Sequence, residues 1–247
     1  MSIKYLVLII SLFTSTLVCA ADSLSAINAQ FETTQCALPC KTPNTTAWWL
    51  LRSNNQVELR GIDNNTHKLS PRSEIWTLNP DGKLGYLFLM HEDKRAIEYL
   101  FDDLKILGIN PDKEKWEETS QLVTESELNQ MKRTGIETAT FQGYETISYQ
   151  GEINNAQVNI VWIPELKIPL KMVYTYPDIT TTVQLKKLIN GENLALPENK
   201  QLKTSNQALS NYQQVYYTDI GDMEDNSKAQ VWIAKARGAL GIHAHNH

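Results

Sequence analysis

The sequence predicts an α+β protein built on an antiparallel sheet with a short helical interruption, and three features carry that reading. Apolar residues alternate with polar ones over long stretches on either side of the centre of the chain. Turn chemistry separates those stretches at short intervals. Between them the period lengthens to that of helices, over two short segments that have start and stop signals.

The elements follow in order. Leu24, Ile27 and Phe31 stand at helical spacing behind Ser23 as a cap, so a short amphipathic helix is expected first. From Trp48 the chain reads as two extended runs around Ser53-Asn54-Asn55. Two further strands flank Asn79-Pro80-Asp81-Gly82, where proline presets one turn dihedral and glycine accepts the other. In the second of these, Leu84, Tyr86, Phe88 and Met90 share one face. Gly85, Leu87 and Leu89 make the other face apolar too, so this strand should be covered on both sides. The segment "HEDK" turns the chain into "RAIEYL". The helical stretch comprises "DDLKILG" and "TESELNQMKRTG", the latter with Thr124 and Glu127 at capping-box spacing and a stop at Gly135. A β-meander follows. Val158, Ile160 and Trp162 alternate, as do Ile168, Leu170, Met172, Tyr174 and Tyr176, with Lys167 and Lys171 opposite. Beyond Asn190 the chain is polar and without sustained period, which reads as a linker or loosely packed return segment.

The meander has a recognisable order. Tyr149 and Gly151 precede Val161-Trp162-Ile163, and Pro169-Leu170-Lys171 opens the next strand. With the preceding strands and helices, this pattern resembles the periplasmic lipoprotein-carrier family (LolA, LolB and related domains) over about Asp22 to Ile189. The resemblance implies that the sheet curls into an open half-barrel over short helices. It also implies a concave apolar face that binds acyl chains or another hydrophobic partner. The acidic and histidine-bearing C-terminal extension lies outside the matched pattern.

The N-terminus bears on compartment. "MSIKYLVLIISLFTSTLVCA" has a single charge at Lys4, an apolar run too short to span a bilayer, and small residues at Val18 and Ala20. It reads as a secretory signal cleaved near Ala20, which predicts a periplasmic protein. The sequence therefore divides into a leader (1–20), a sheet domain (21–190), and a return segment with its tail (191–247). No later apolar stretch is long enough for a transmembrane helix. The 23 basic against 28 acidic side chains argue against nonspecific nucleic-acid binding. Cys36 and Cys40 remain after cleavage, and an oxidising compartment favours a disulfide between them that locks a local turn. A thiol pair for redox or copper chemistry is the alternative.

No nucleophile elbow, His-Glu-x-x-His, phosphate loop or dinucleotide fingerprint occurs, so a non-catalytic role is expected. Trp76, Tyr86, Phe88, Trp162, Met172 and Tyr174 are the expected ligand-lining residues. Core packing is the competing reading for each. The ligand expected is a lipid, acyl chain or hydrophobic partner, which includes an envelope protein. A second hypothesis is periplasmic metal handling. His243, His245 and His247 alternate, and imidazoles so spaced suit copper or zinc. A solvated terminus that binds metal only incidentally is the competing reading. Asp219, Asp222, Glu224 and Asp225 lack the calcium-loop pattern and read better as an acidic helix start. Met90 and His91 point to opposite sheet faces and are poor co-ligands.

Overall fold

A computed structural model describes residues 24–190 and 209–221. The chain first builds six consecutive strands: β1 (Ile27–Ala37), β2 (Asn44–Arg52), β3 (Gln56–Ile62), β4 (Arg72–Leu78), β5 (Leu84–Met90) and β6 (Arg95–Tyr99). Three short helices follow: α1 (Phe101–Ile106), α2 (Lys113–Gln121) and α3 (Glu125–Gln130). A second meander comprises β7 (Lys132–Phe141), β8 (Tyr144–Ile153), β9 (Ala156–Ile163), β10 (Ile168–Thr175) and β11 (Ile179–Asn190). Strand β12 (Gln213–Tyr216) and helix α4 (Tyr217–Gly221) come last.

All twelve strands lie in one sheet, in the order β12-β6-β5-β4-β3-β2-β1-β11-β10-β9-β8-β7. Every neighbouring pair is antiparallel except β12 and β6, which run parallel. The sheet does not close on itself, and with its helices it forms an open half-barrel of the α+β class. Each meander zips up by local pairing, and β1 joins them by pairing with β2 on one side and β11 on the other.

The turns and caps obey local rules. Gly82 takes a φ of +80° and its N–H donates to Asn79 O at 2.9 Å. Asp112 accepts from Lys115 N at the start of α2, and the helix ends at Leu122 in the left-handed region. At α3, Glu127 N donates to Thr124 Oγ1 while Thr124 N donates to Glu127 Oε2, the reciprocal box expected from sequence. Gly151 has a packing role. A Cβ there would meet Met131 at 2.7 Å, so glycine admits the end of the helical stretch against β8.

Three expectations are corrected. Leu24, Ile27 and Phe31 do not form a helix: Ile27 and Phe31 lie on β1, where Ile27, Ala29 and Phe31 form an alternating buried face. Two long pairing partners outweigh a weak helical period there, as tertiary context commonly does. The second helix does not reach Gly135 but ends at Gln130, and β7 begins at Lys132. The alternation from Ile168 to Tyr176 is broken by a register shift between Pro169 and Lys171.

One face of the sheet holds the main core. There Leu104 of α1, Trp116 of α2 and Val123 pack into a single cluster with strand residues from both meanders. Phe31 stacks on Trp48 with centroids 5.0 Å apart, and Trp48 Nε1 donates to Thr33 Oγ1. The opposite face carries two smaller clusters. One centres on Trp49 and Leu51, the other on Ile75, Leu89, Ala96 and Leu209. Strand β5 is thus covered on both sides, and part of the polar return segment folds back to help cover it.

Arg52 ties the helices to the sheet. Its buried guanidinium donates to the carbonyl oxygens of Ser25, Ser120, Leu166 and Lys167. Ser120 lies in the last turn of α2, where carbonyls lack helical partners and carry partial negative charge. Burial lowers the Arg52 pKa to about 10. Among the described residues no helix is long and apolar enough to cross a membrane.

Candidate functional site

The six expected lining residues all lie in the main cluster on the helix-covered face, and all are buried. They form two groups. Trp76, Tyr86 and Phe88 sit on β4 and β5, whereas Trp162, Met172 and Tyr174 sit on β9 and β10. Strands β3, β2, β1 and β11 separate the groups in the sheet. Among the described residues this face is occupied by their own packed side chains. None of the six residues lines either of two clefts found among the described residues.

The first group belongs to an aromatic row set by register. Trp76 faces Tyr86 across β4 and β5, and Tyr86 faces Tyr99 across β5 and β6. Their centroids are 4.6 and 5.1 Å apart, and Tyr99 stacks on Tyr217 of α4 at 4.6 Å. Aromatic pairs at such distances add roughly 1 kcal/mol each beyond area burial. The Tyr86 hydroxyl is buried beside the Glu74 carboxyl, and burial, followed by that neighbouring charge, drives its pKa well up.

A carboxylate beside this row is not foreshadowed by the sequence. Glu74 alternates with Trp76 on β4, faces Phe88 on β5, and is only 7% exposed. Burial raises its pKa to about 7, opposed by the nearby Lys115 charge. The Lys115 ammonium bridges to Glu118 at 2.9 Å and lies 5.6 Å from the Trp76 ring. In the second group, Tyr174 Oη donates to Met172 Sδ at 3.8 Å, and burial raises the Tyr174 pKa. In and around α1, apolar side chains face solvent: Leu100 is 48%, Ile106 82% and Leu107 37% exposed.

The opposite face carries a polar chain that sequence reasoning also missed. His91 Nε2 lies 2.8 Å from Ser73 Oγ and 3.9 Å from Glu58 Oε1, and its Nδ1 lies 2.7 Å from Tyr212 Oη. One tautomer satisfies the chain. Tyr212 donates to Nδ1 and Nε2–H donates to Ser73, which leaves the Ser73 hydroxyl proton for the Glu58 carboxyl, the neighbour that lowers the Glu58 pKa against burial. Serine and acid thus share one imidazole nitrogen, and a phenol occupies the other. A hydrolytic relay needs the acid opposite the serine, so this order does not activate Ser73. Burial, followed by the Arg60 charge, lowers the His91 pKa to about 4, which keeps the ring neutral. Met90 and His91 point to opposite faces, as expected: Met90 joins the main core and His91 joins the polar chain.

Cys36 and Cys40 form a disulfide with Cα atoms 5.3 Å apart, at the bend between β1 and β2. Bonded to each other, these sulfurs are not thiol ligands. Among the described residues no group of three or more His, Cys, Asp or Glu side chains is placed to hold a metal ion. His243, His245 and His247 lie outside the described residues, as do Asp222, Glu224, Asp225 and the leader.

No family model matches the chain. No curated protein matches it in sequence. Among solved structures the chain is similar to PNGF-II, with 13% identity and a TM-score of 0.42 over 80% of this chain. It spans about a third of that protein's length, 33%. It is also similar to an uncharacterized conserved protein from Thermus thermophilus, at 8% identity and a TM-score of 0.37, covering 76% of this chain and 90% of that one. A LolA superfamily protein from Nitrosomonas europaea matches at 7% identity and a TM-score of 0.31, covering 71% and 89% of the two chains. The likeness to the LolA-type architecture is loose and concerns the fold alone.

Proposed function

We propose that this chain is an exported, periplasmic, non-catalytic binding or carrier protein. Its helix-covered face receives a lipid, an acyl chain or a hydrophobic envelope partner. The observation that supports this is the nature of the cover. Two flanks of aromatic and sulfur side chains share one apolar cluster with three helices, none longer than nine residues. Helices that short are not stable alone and are held by packing. Their apolar attachments include Leu104, Trp116 and Val123, worth about 2 kcal/mol each. An acyl chain recovers ~0.8 kcal/mol per buried methylene, so a chain of about fourteen carbons outweighs those three contacts. The ligand would displace the helical cover rather than fill a standing cavity. The exposed Leu100, Ile106 and Leu107 would offer such a chain a first apolar contact beside α1.

Native mass spectrometry of protein purified from its host envelope tests this reading, followed by delipidation and titration with a dansyl-labelled fatty acid. Bound lipid mass is expected, together with saturable energy transfer from the tryptophans. Absence of both would reject the proposal.

A further inference from the structure

The face opposite the helices carries a cleft of about 340 Å³ whose walls include Arg60, Asp63, Lys68, His91 and Glu92. Arg60 is half-buried, and its Nε donates to Ser70 O at 3.0 Å. That bond fixes the stem of the guanidinium. Among the described residues, no carboxylate lies within ion-pair distance of its remaining amino groups. Burial strips the guanidinium of part of its water and lowers its pKa, and the charges of Glu58 and Tyr212 only partly oppose this. Neither Glu58 nor Asp63 is salt-bridged to it. Glu58 is buried and feels the Arg60 charge, but desolvation is the larger influence and raises its pKa. Asp63 Oδ1 is engaged by its own turn, accepting from Asn65 N, Thr66 N and Thr66 Oγ1. Lys68 is exposed on the same wall and makes no ion pair among the described residues.

We propose that this cleft is a binding site for a small oxyanion, a carboxylate or phosphate group, held by the Arg60 fork and the Lys68 ammonium. A planar guanidinium with free amino groups suits such a group because it donates two parallel hydrogen bonds to it. The neutral His91 ring forms part of the wall, and its polar chain to Ser73 and Tyr212 holds it in place. Asp63 and Glu92, both exposed and lining the cleft, set the limit on affinity by repelling the ligand.

The test uses the full chain at constant ionic strength, with succinate and inorganic phosphate as separate probes. The readout is the His91 imidazole signal in a carbon–proton correlation spectrum, assigned with His91→Gln. A saturable shift with a Kd on the order of 1 mM or tighter is expected for at least one probe, and which probe saturates identifies the source of the oxyanion. Arg60→Met should weaken it at least tenfold. Lys68→Met should weaken it severalfold, and Glu92→Gln should tighten it. Lys68 and Glu92 are exposed, so these two variants remain informative if Arg60→Met fails to fold. The proposal is overturned if neither probe gives a saturable shift, if a folded Arg60→Met binds like the wild type, or if Lys68→Met and Glu92→Gln leave the titration unchanged.

Discussion

Replacing Glu74 with glutamine should flatten the stability profile between mildly acid and neutral pH. The Glu74 carboxyl moves from 4.5 to about 7 on folding because the apolar, helix-covered face strips its water. Below pH 4.5 folded and unfolded chains both hold the proton. Between pH 4.5 and 7 only the folded chain holds it, and above pH 7 neither does. The stabilisation is therefore complete at pH 4.5 and is lost as the pH rises through 7. At 1.36 kcal/mol per pH unit the loss amounts to ~3 kcal/mol. Glutamine stays neutral throughout, so Glu74→Gln should match the wild type near pH 4.5 and exceed it by up to ~3 kcal/mol at pH 8. Urea unfolding at pH 4.5, 6 and 8 reads this as a midpoint difference at constant slope. Glu58 shifts in the same direction, so the informative quantity is variant minus wild type. Parallel wild-type and variant profiles would refute the assignment of a desolvated carboxyl to this position.

His91 should dominate on the acid side with the opposite sign. Its folded pKa of about 4 means that only the unfolded chain takes a proton between pH 6.5 and 4, so stability falls as the pH drops through that range, by ~3 kcal/mol. His91→Gln should remove this limb in urea titrations, at a neutral-pH cost of about 1–2 kcal/mol for its lost hydrogen bonds. Arg52→Met should leave buried carbonyls of Ser120 and Leu166 without their donor and lower stability by about 3 kcal/mol or more, read as an earlier urea midpoint. For the C-terminal histidines we propose copper or zinc binding. Calorimetric titration should lose its tightest event when residues 243–247 are deleted, and an unchanged isotherm would reject the role.

The parts of the fold visible in the sequence are those set by neighbours along the chain. Asn79 to Gly82 and Thr124 to Glu127 each specify their own geometry within four residues, and each forms as read. The two-sided cover of β5 was also legible, since no polar face interrupts Leu84 to Met90. Strand β1 was not. Its residues satisfy a helical period and an alternating one, and the choice is made by partners that lie up to Asn190. Nothing in the sequence singled out Glu74. The strand phase that buries Trp76 buries Glu74 as well, and only the register with Phe88 reveals its surroundings. In the Ser73–His91–Tyr212 chain, the histidine and the tyrosine stand 121 positions apart, and nothing local to Tyr212 marks it as a partner.

The position of β1 has a consequence for how the molecule is made. Among the described residues, the strand made earliest in synthesis lies near the middle of the finished sheet. It can pair with β2 at once, but its other edge stays open until Ile179–Asn190 has followed. Every other antiparallel pair in the sheet joins consecutive strands or forms within its own meander. Closure of the β1–β11 seam is therefore the step of highest contact order, the one expected to limit the folding rate. Until it closes, the chain is two half-sheets, each showing an apolar face and an unpaired inner edge, the state in which such a protein is most open to aggregation or to capture by a chaperone.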